Sequence, residues 1–167
     1  MKLATSNNGS KDGQLIIVSK DLSRYTIPSE IAPTMQNAMD NWDNVQDDLV
    51  CLSKQLENGK VEAKPFDSNN IHSPLPRAYQ WADGSAYVNH VHLVRKARGA
   101  EMPESFWTDP LMYQGGSDDF MPPLAPIYLP DESWGIDMEG EIAVITGEVK
   151  MGTKPDEAIN AIRLIML

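Results

Sequence analysis

The chain has 167 residues, 41% hydrophobic and 23% charged, enough for one ordinary domain or a small one plus part of another, with a core of reasonable size. Its 24 acidic and 14 basic residues give a formal net charge of -10, which counts against nucleic acid and against an anionic membrane surface, because duplex binding rests on Lys and Arg neutralising phosphates. The single cysteine, Cys51, excludes an internal disulfide and any Cys-based zinc cluster.

The opening "MKLATSNNGSKDG" turns polar after a few residues, so it does not read as a secretory leader. No apolar run approaches the ~20 residues of a membrane span. The expectation is a soluble cytoplasmic protein, for which the sequon at Asn8 carries no meaning. "KLAT" and "LIIVS" flank a Gly/Asn/Asp-rich turn and predict two strands, with a third short strand through "RYTI".

A helix is predicted from about Pro33 to Asn58. Met35, Met39, Trp42, Val45, Leu49, Leu52 and Leu56 recur at spacings of four and three and form one apolar stripe. Pro33 suits the first turn and Gly59 the C-terminal cap. The stripe is short for a coiled-coil seam, so packing onto the N-terminal strands is expected. Cys51 lies off the stripe and receives no role. Gly59 to Gln80 is polar and Pro-rich and is the candidate boundary, dividing the chain into an N-terminal domain, 1–72, and a second domain, 73–167.

A second helix is expected in "GSAYVNHVHLVRKARG", with Ser85 as N-cap, Arg95, Lys96 and Arg98 in the last turns, and Gly99 as its end. Met102 to Pro130 is rich in Pro and Gly and reads as loops with short extended pieces. Long loops of this kind are usually functional or mobile. "GIDMEGEIAVITGEV" then reads as a strand, and "TKPDEAINA" as the start of a helix with Pro155 in its first turn. The final "AIRLIML" is apolar to the last residue, whereas termini are usually polar. It reads as a chain that stops inside a buried segment.

Two groupings carry candidate chemistry. On a strand, Asp137, Glu139 and Glu141 share a face. Glu139 and Glu141 could converge on a hard divalent ion such as Mg²⁺ or Ca²⁺, which prefers carboxylate oxygens. A solvated strand face explains the same pattern, and periodicity taken alone favours it. Asp137 has the shorter reach and ranks below the two glutamates. On the second helix, Tyr87 and His90 fall on adjoining turns with Asp83 just before the start, so a carboxylate, a phenol and an imidazole share one side. His90 suits general-base work, while a solvent-facing helix side is again the simpler explanation. His90 and His92 would suit a cupin-like metal pair on a strand, but they diverge on a helix. "YQGGSDDF" lacks the Lys of a phosphate-binding loop and does not fit an EF-hand; its paired glycines mean a tight turn or a close approach of backbone to a ligand.

Taken together these segments resemble the fumarylacetoacetate hydrolase family of the bacterial type. "KLAT…NGSKDGQLIIVS" is similar to the N-terminal domain of its members. "SPLPRAYQWADGSAYVNHVHLVRKARGAEMP", "FWTDPLMYQGGSDDF" and "WGIDMEGEIAVITGEV" are similar to the start of its catalytic domain. The resemblance implies an α+β fold: a small N-terminal β-plus-helix domain followed by the first part of a mixed β-rich roll. It implies Mg²⁺ or Ca²⁺ held by Asp83, Glu139 and Glu141, with His90 as general base. Tyr113 would contact substrate, and Tyr87 would have a less defined substrate-side role.

The implied reaction is hydrolytic cleavage of a carbon–carbon bond in fumarylacetoacetate or a related diketo acid, as in tyrosine and other aromatic amino acid degradation, by a homodimer. Family members carry a further metal-binding Asp, a substrate-positioning Lys and often a Glu paired with the catalytic His beyond the segment matching "AIRLIML". The second domain is therefore read as truncated. The alternatives are decarboxylation, isomerisation or hydration at a similar metal site, and a non-catalytic acidic binding or assembly module.

Overall fold

The computed structural model describes residues 1–136 and 138–167. The fold is mixed α+β, and the chain divides into two compact units, one of 1–76 with 120–167 and one of 77–119.

The first unit is built on an antiparallel sheet. β1 (Lys2–Ser6) and β2 (Gln14–Val18) pair in register from Lys2↔Val18 to Ser6↔Gln14, and β3 (Arg24–Thr26) adds to β2. The tight connection into β3 is held by Asp21. Its carboxylate accepts from Ser19 Oγ at 2.6 Å and from Ser23 Oγ at 2.8 Å, and these hydrogen bonds hold its pKa well below the usual carboxylate range.

The predicted single helix is two. α1 (Met35–Asp40) and α2 (Trp42–Glu57) meet at Asn41, whose φ of -120° leaves the helical region. Asn41 Nδ2 donates to the Asn37 carbonyl at 3.0 Å. Asparagine offers the backbone such local partners and so competes with the helical ladder. Pro33 also lies outside α1: Thr34 is the N-cap, its Oγ1 accepting from Asn37 N at 3.1 Å. Gly59, at φ +65°, ends α2 with Lys60 N donating to the Gln55 carbonyl at 2.9 Å.

The break does not disturb the apolar stripe. Met35, Trp42, Leu49 and Leu56 are buried in one cluster with Leu15 and Ile17 of β2, and Met39, Val45 and Leu52 pack against it. The stripe therefore packs on the sheet rather than on another helix. Leu49→Ala is expected to cost about 2–5 kcal/mol of unfolding free energy, because a fully buried leucine leaves a cavity between two packed layers. Urea denaturation of the full chain measures it, and a loss below about 1 kcal/mol would show that Leu49 is not central to this core.

The Pro-rich segment after α2 supplies both edges of this sheet. β4 (Lys64–Pro65) pairs with β3, and β5 (Ile71–His72) pairs with β1, giving the five-stranded order β4-β3-β2-β1-β5. Pro65 is tolerated because an edge strand needs only one row of hydrogen bonds.

The second unit, 77–119, contains β6 (Ala82–Ser85), α3 (Val88–Ala97) and β7 (Leu111–Gln114), with β6 and β7 antiparallel. Here Ser85 is not a helix N-cap. The backbone of Asp83–Ser85 is taken up by the ladder to Leu111–Tyr113, and α3 begins three residues later, with Tyr87 at its N-cap position and no side-chain cap bond. Val91 and Phe106 are the buried apolar anchors.

Residues 120–167 return to the first unit. β8 (Ala143–Thr146) and β9 (Ile162–Met166) form a hairpin with a register shift at Ile145/Thr146, and the short α4 (Pro155–Ala158) lies between them with Pro155 in its first turn. Leu164 packs against the core cluster, and Arg163 Nη2 pairs with Asp43 Oδ1 of α2 at 3.2 Å. The strand expected over Gly135 to Val149 is shorter than its sequence suggested. Glu139 and Glu141 precede β8 in exposed, irregular chain, and Asp137 lies outside the described residues. Among the described residues no helix is long and apolar enough to cross a membrane.

Candidate active site

In the second unit, alternation along the hairpin decides which side chains share a face. Asp83 lies directly opposite Tyr113, and Ser85 opposite Leu111. Residues directly opposite in an antiparallel pair hold their Cβ atoms about 4.5–5.5 Å apart on one side of the sheet. Asp83 and Tyr113 are therefore cross-strand neighbours on one face. Helical spacing puts Asp83, just before the helix start, on one side with Tyr87 and His90; the strand replaces that geometry and gives Asp83 a different companion.

The next pair along this face reaches α3. Ser85 and Leu111 line a cavity of about 330 Å³ together with His90, Val91, Arg95 and Arg98. Val91 supplies an apolar wall, and the two arginines lie at the C-terminal end of α3, where cations complement the helix dipole. Arg95 is anchored by its Nη1 donating to the Glu101 carbonyl at 2.9 Å. His90, in the first turn of α3, thus borders the same hairpin face that carries Asp83 and Tyr113. Tyr87 is exposed and is not among the residues lining this cavity.

The glycine pair of "YQGG" has a structural cause. Gly115 N donates to the Trp81 carbonyl at 3.0 Å, which extends the β6–β7 ladder by one pair. The Trp81 indole lies over Gly115 so closely that an added Cβ would collide with its six-membered ring. The indole Nε1 donates to the Gly116 carbonyl at 3.1 Å. Trp81, which the sequence argument passed over, therefore occupies the same face as Asp83 and Ser85. The alternation Trp81, Asp83, Ser85 is the signal that could have revealed it.

Glu139 and Glu141 lie in the other unit. Upstream of them, Asp131 caps the 3₁₀ turn Glu132–Trp134, and hydrogen bonds from the Ser133 hydroxyl and backbone N–H lower its pKa. As donors, Asp83, Glu139 and Glu141 offer the hard carboxylate oxygens that Mg²⁺ and Ca²⁺ prefer. Among the described residues, no group of three His, Cys, Asp or Glu side chains is assembled in a way that could hold a metal ion. The carboxylate donors by themselves suit a hard divalent cation.

The sheet-and-helix N-terminal part, followed by a hairpin face carrying Asp83 and Tyr113, defines a mixed α+β protein. Residues 1–77 match the fumarylacetoacetase N-terminal domain 2, and residues 80–167 match the fumarylacetoacetate (FAA) hydrolase C-terminal domain. The chain belongs to the fumarylacetoacetate hydrolase family, a family of hydrolase- and lyase-type enzymes. No curated relative matches it.

Proposed function

We propose that this chain carries catalytic residues of a metal-dependent hydrolase that cleaves a carbon–carbon bond in fumarylacetoacetate or a related diketo acid. The observation that supports this most is the juxtaposition of Asp83 and Tyr113 on one hairpin face, whose neighbouring pair lines a cavity with His90. The guanidinium groups of Arg95 and Arg98 on that cavity favour an acidic substrate.

In this reading Asp83, Glu139 and Glu141 would hold Mg²⁺ or Ca²⁺, which when bound would supply Lewis-acid polarisation of a diketo substrate. His90 accepts a proton from water, and the oxygen so activated attacks the carbonyl carbon. The carbon–carbon bond then breaks, its electron pair leaving with the enolate fragment. Protonated His90 can return the proton to that fragment, which restores the base. Tyr113 presents its phenol to the substrate beside Asp83 and fixes its orientation.

The test is loss of the diketo absorbance of an acylpyruvate on incubation with the chain. The expected result is a decline that requires Mg²⁺ or Ca²⁺ and stops on chelation. Unchanged absorbance, with no calorimetric uptake of either ion, would overturn the hydrolase reading and favour an acidic binding or assembly module.

A further inference from the structure

The Trp81 indole is a large side chain on the hairpin face that the reaction above does not use. It is fixed from two sides. The indole Nε1 donates to the Gly116 carbonyl at 3.1 Å, and the Trp81 backbone carbonyl accepts from Gly115 N at 3.0 Å. Its ring lies 5.7 Å from the Tyr113 ring, centroid to centroid, at an interplanar angle of 57°. Tilted aromatic pairs at this separation are attractive and directional, because the positive edge of one ring meets the negative face of the other. Gly115 is what permits the arrangement, since any side chain there would displace the indole. Tyr113 itself is 60% exposed.

We propose that Trp81 is a positioning residue for Tyr113, holding the phenol in the orientation in which it meets a diketo acid, with Gly115 present to admit the indole. The proposal rests on the substrate-contacting reading of Tyr113. A tyrosine on an exposed strand samples several rotamers, and each misdirected one lowers the competent fraction and with it the apparent affinity. Trp81 removes those rotamers before substrate arrives. It touches neither water nor the bond that breaks, so its loss acts on binding rather than on the proton transfer at His90.

Two measurements on the full chain test this. In aromatic proton–carbon NMR spectra, with the Tyr113 ring assigned through Tyr113→Phe, Trp81→Ala is expected to move the Tyr113 ring signals towards those of free tyrosine. Trp81→Phe should move them less, and Gly115→Ala should reproduce Trp81→Ala by evicting the indole. Binding of acetylpyruvate with Mg²⁺ is expected to weaken about three- to tenfold in Trp81→Ala, the range an aromatic pair supports. It should not weaken further when Trp81→Ala is added to Tyr113→Ala. A purely structural tryptophan would instead cost the same in both backgrounds, and that result overturns the proposal. So do Tyr113 signals that stay in place when Trp81 is removed. A wild-type chain that binds no acetylpyruvate overturns the substrate role of Tyr113, while the ring signals still decide independently whether Trp81 holds it.

Discussion

Replacing both Glu139 and Glu141 with glutamine is expected to weaken Mg²⁺ or Ca²⁺ binding by at least ~100-fold, since even partners outside the coordination shell cost about 10–100-fold when lost. The substitution removes two formal charges and leaves amide oxygens, which are weaker donors to a hard cation. Both glutamates are exposed and precede β8 in irregular chain. Thermal melts of the wild-type and variant chains, run alongside, separate loss of the site from loss of the fold. Calorimetric titration of each ion into the wild-type and variant chains provides the comparison. Unchanged affinity would remove both residues from the ion's shell and return them to the solvated face that periodicity alone favoured.

His90→Gln is expected to lower kcat on an acylpyruvate by about 10²–10⁴-fold with little change in KM, the usual worth of a positioned general base. Glutamine keeps helix propensity in the first turn of α3 and retains a polar side chain at the cavity edge, but it cannot take a proton from water. The split between kcat and KM is the informative readout. A group that only shapes the cavity would raise KM, whereas a base acts on the chemical step. A fall in kcat smaller than about tenfold would place the proton acceptor elsewhere.

Much of the N-terminal architecture is legible in the residues themselves. Apolar alternation with an Asn/Gly turn predicts β1 and β2, and the heptad-like stripe from Met35 to Leu56 predicts the face that meets them. The stripe holds across Asn41 because α1 and α2 each keep their apolar side against the sheet, even though the helical ladder is interrupted. What periodicity cannot register is a single side chain that captures a backbone carbonyl, as Asn41 does with Asn37. Nor could composition show that the polar segment after Gly59 closes both sheet edges, because two-residue strands bury no side chain that would leave a pattern.

The candidate site divides in the same way. The residues Asp83, His90, Tyr113, Glu139 and Glu141 are singled out by residue type, spacing and likeness to a family, all of which are local properties of the chain. Their geometry is not local. Asp83 and Ser85 read as the approach to a helix, yet a ladder to Leu111–Tyr113, more than twenty-five residues away in sequence, draws them into a strand and makes Tyr113 the partner of Asp83. In "GIDMEGEIAVITGEV", Ala143–Thr146 pairs with β9 and, among the described residues, Glu139 and Glu141 precede that strand, so their alternation is not enforced by a sheet. Sequence by itself thus determined which side chains could do the chemistry, the amphipathic helices and the family. Tertiary structure decided which of them face one another, because strand pairing satisfies backbone hydrogen bonds across long separations that no local pattern encodes.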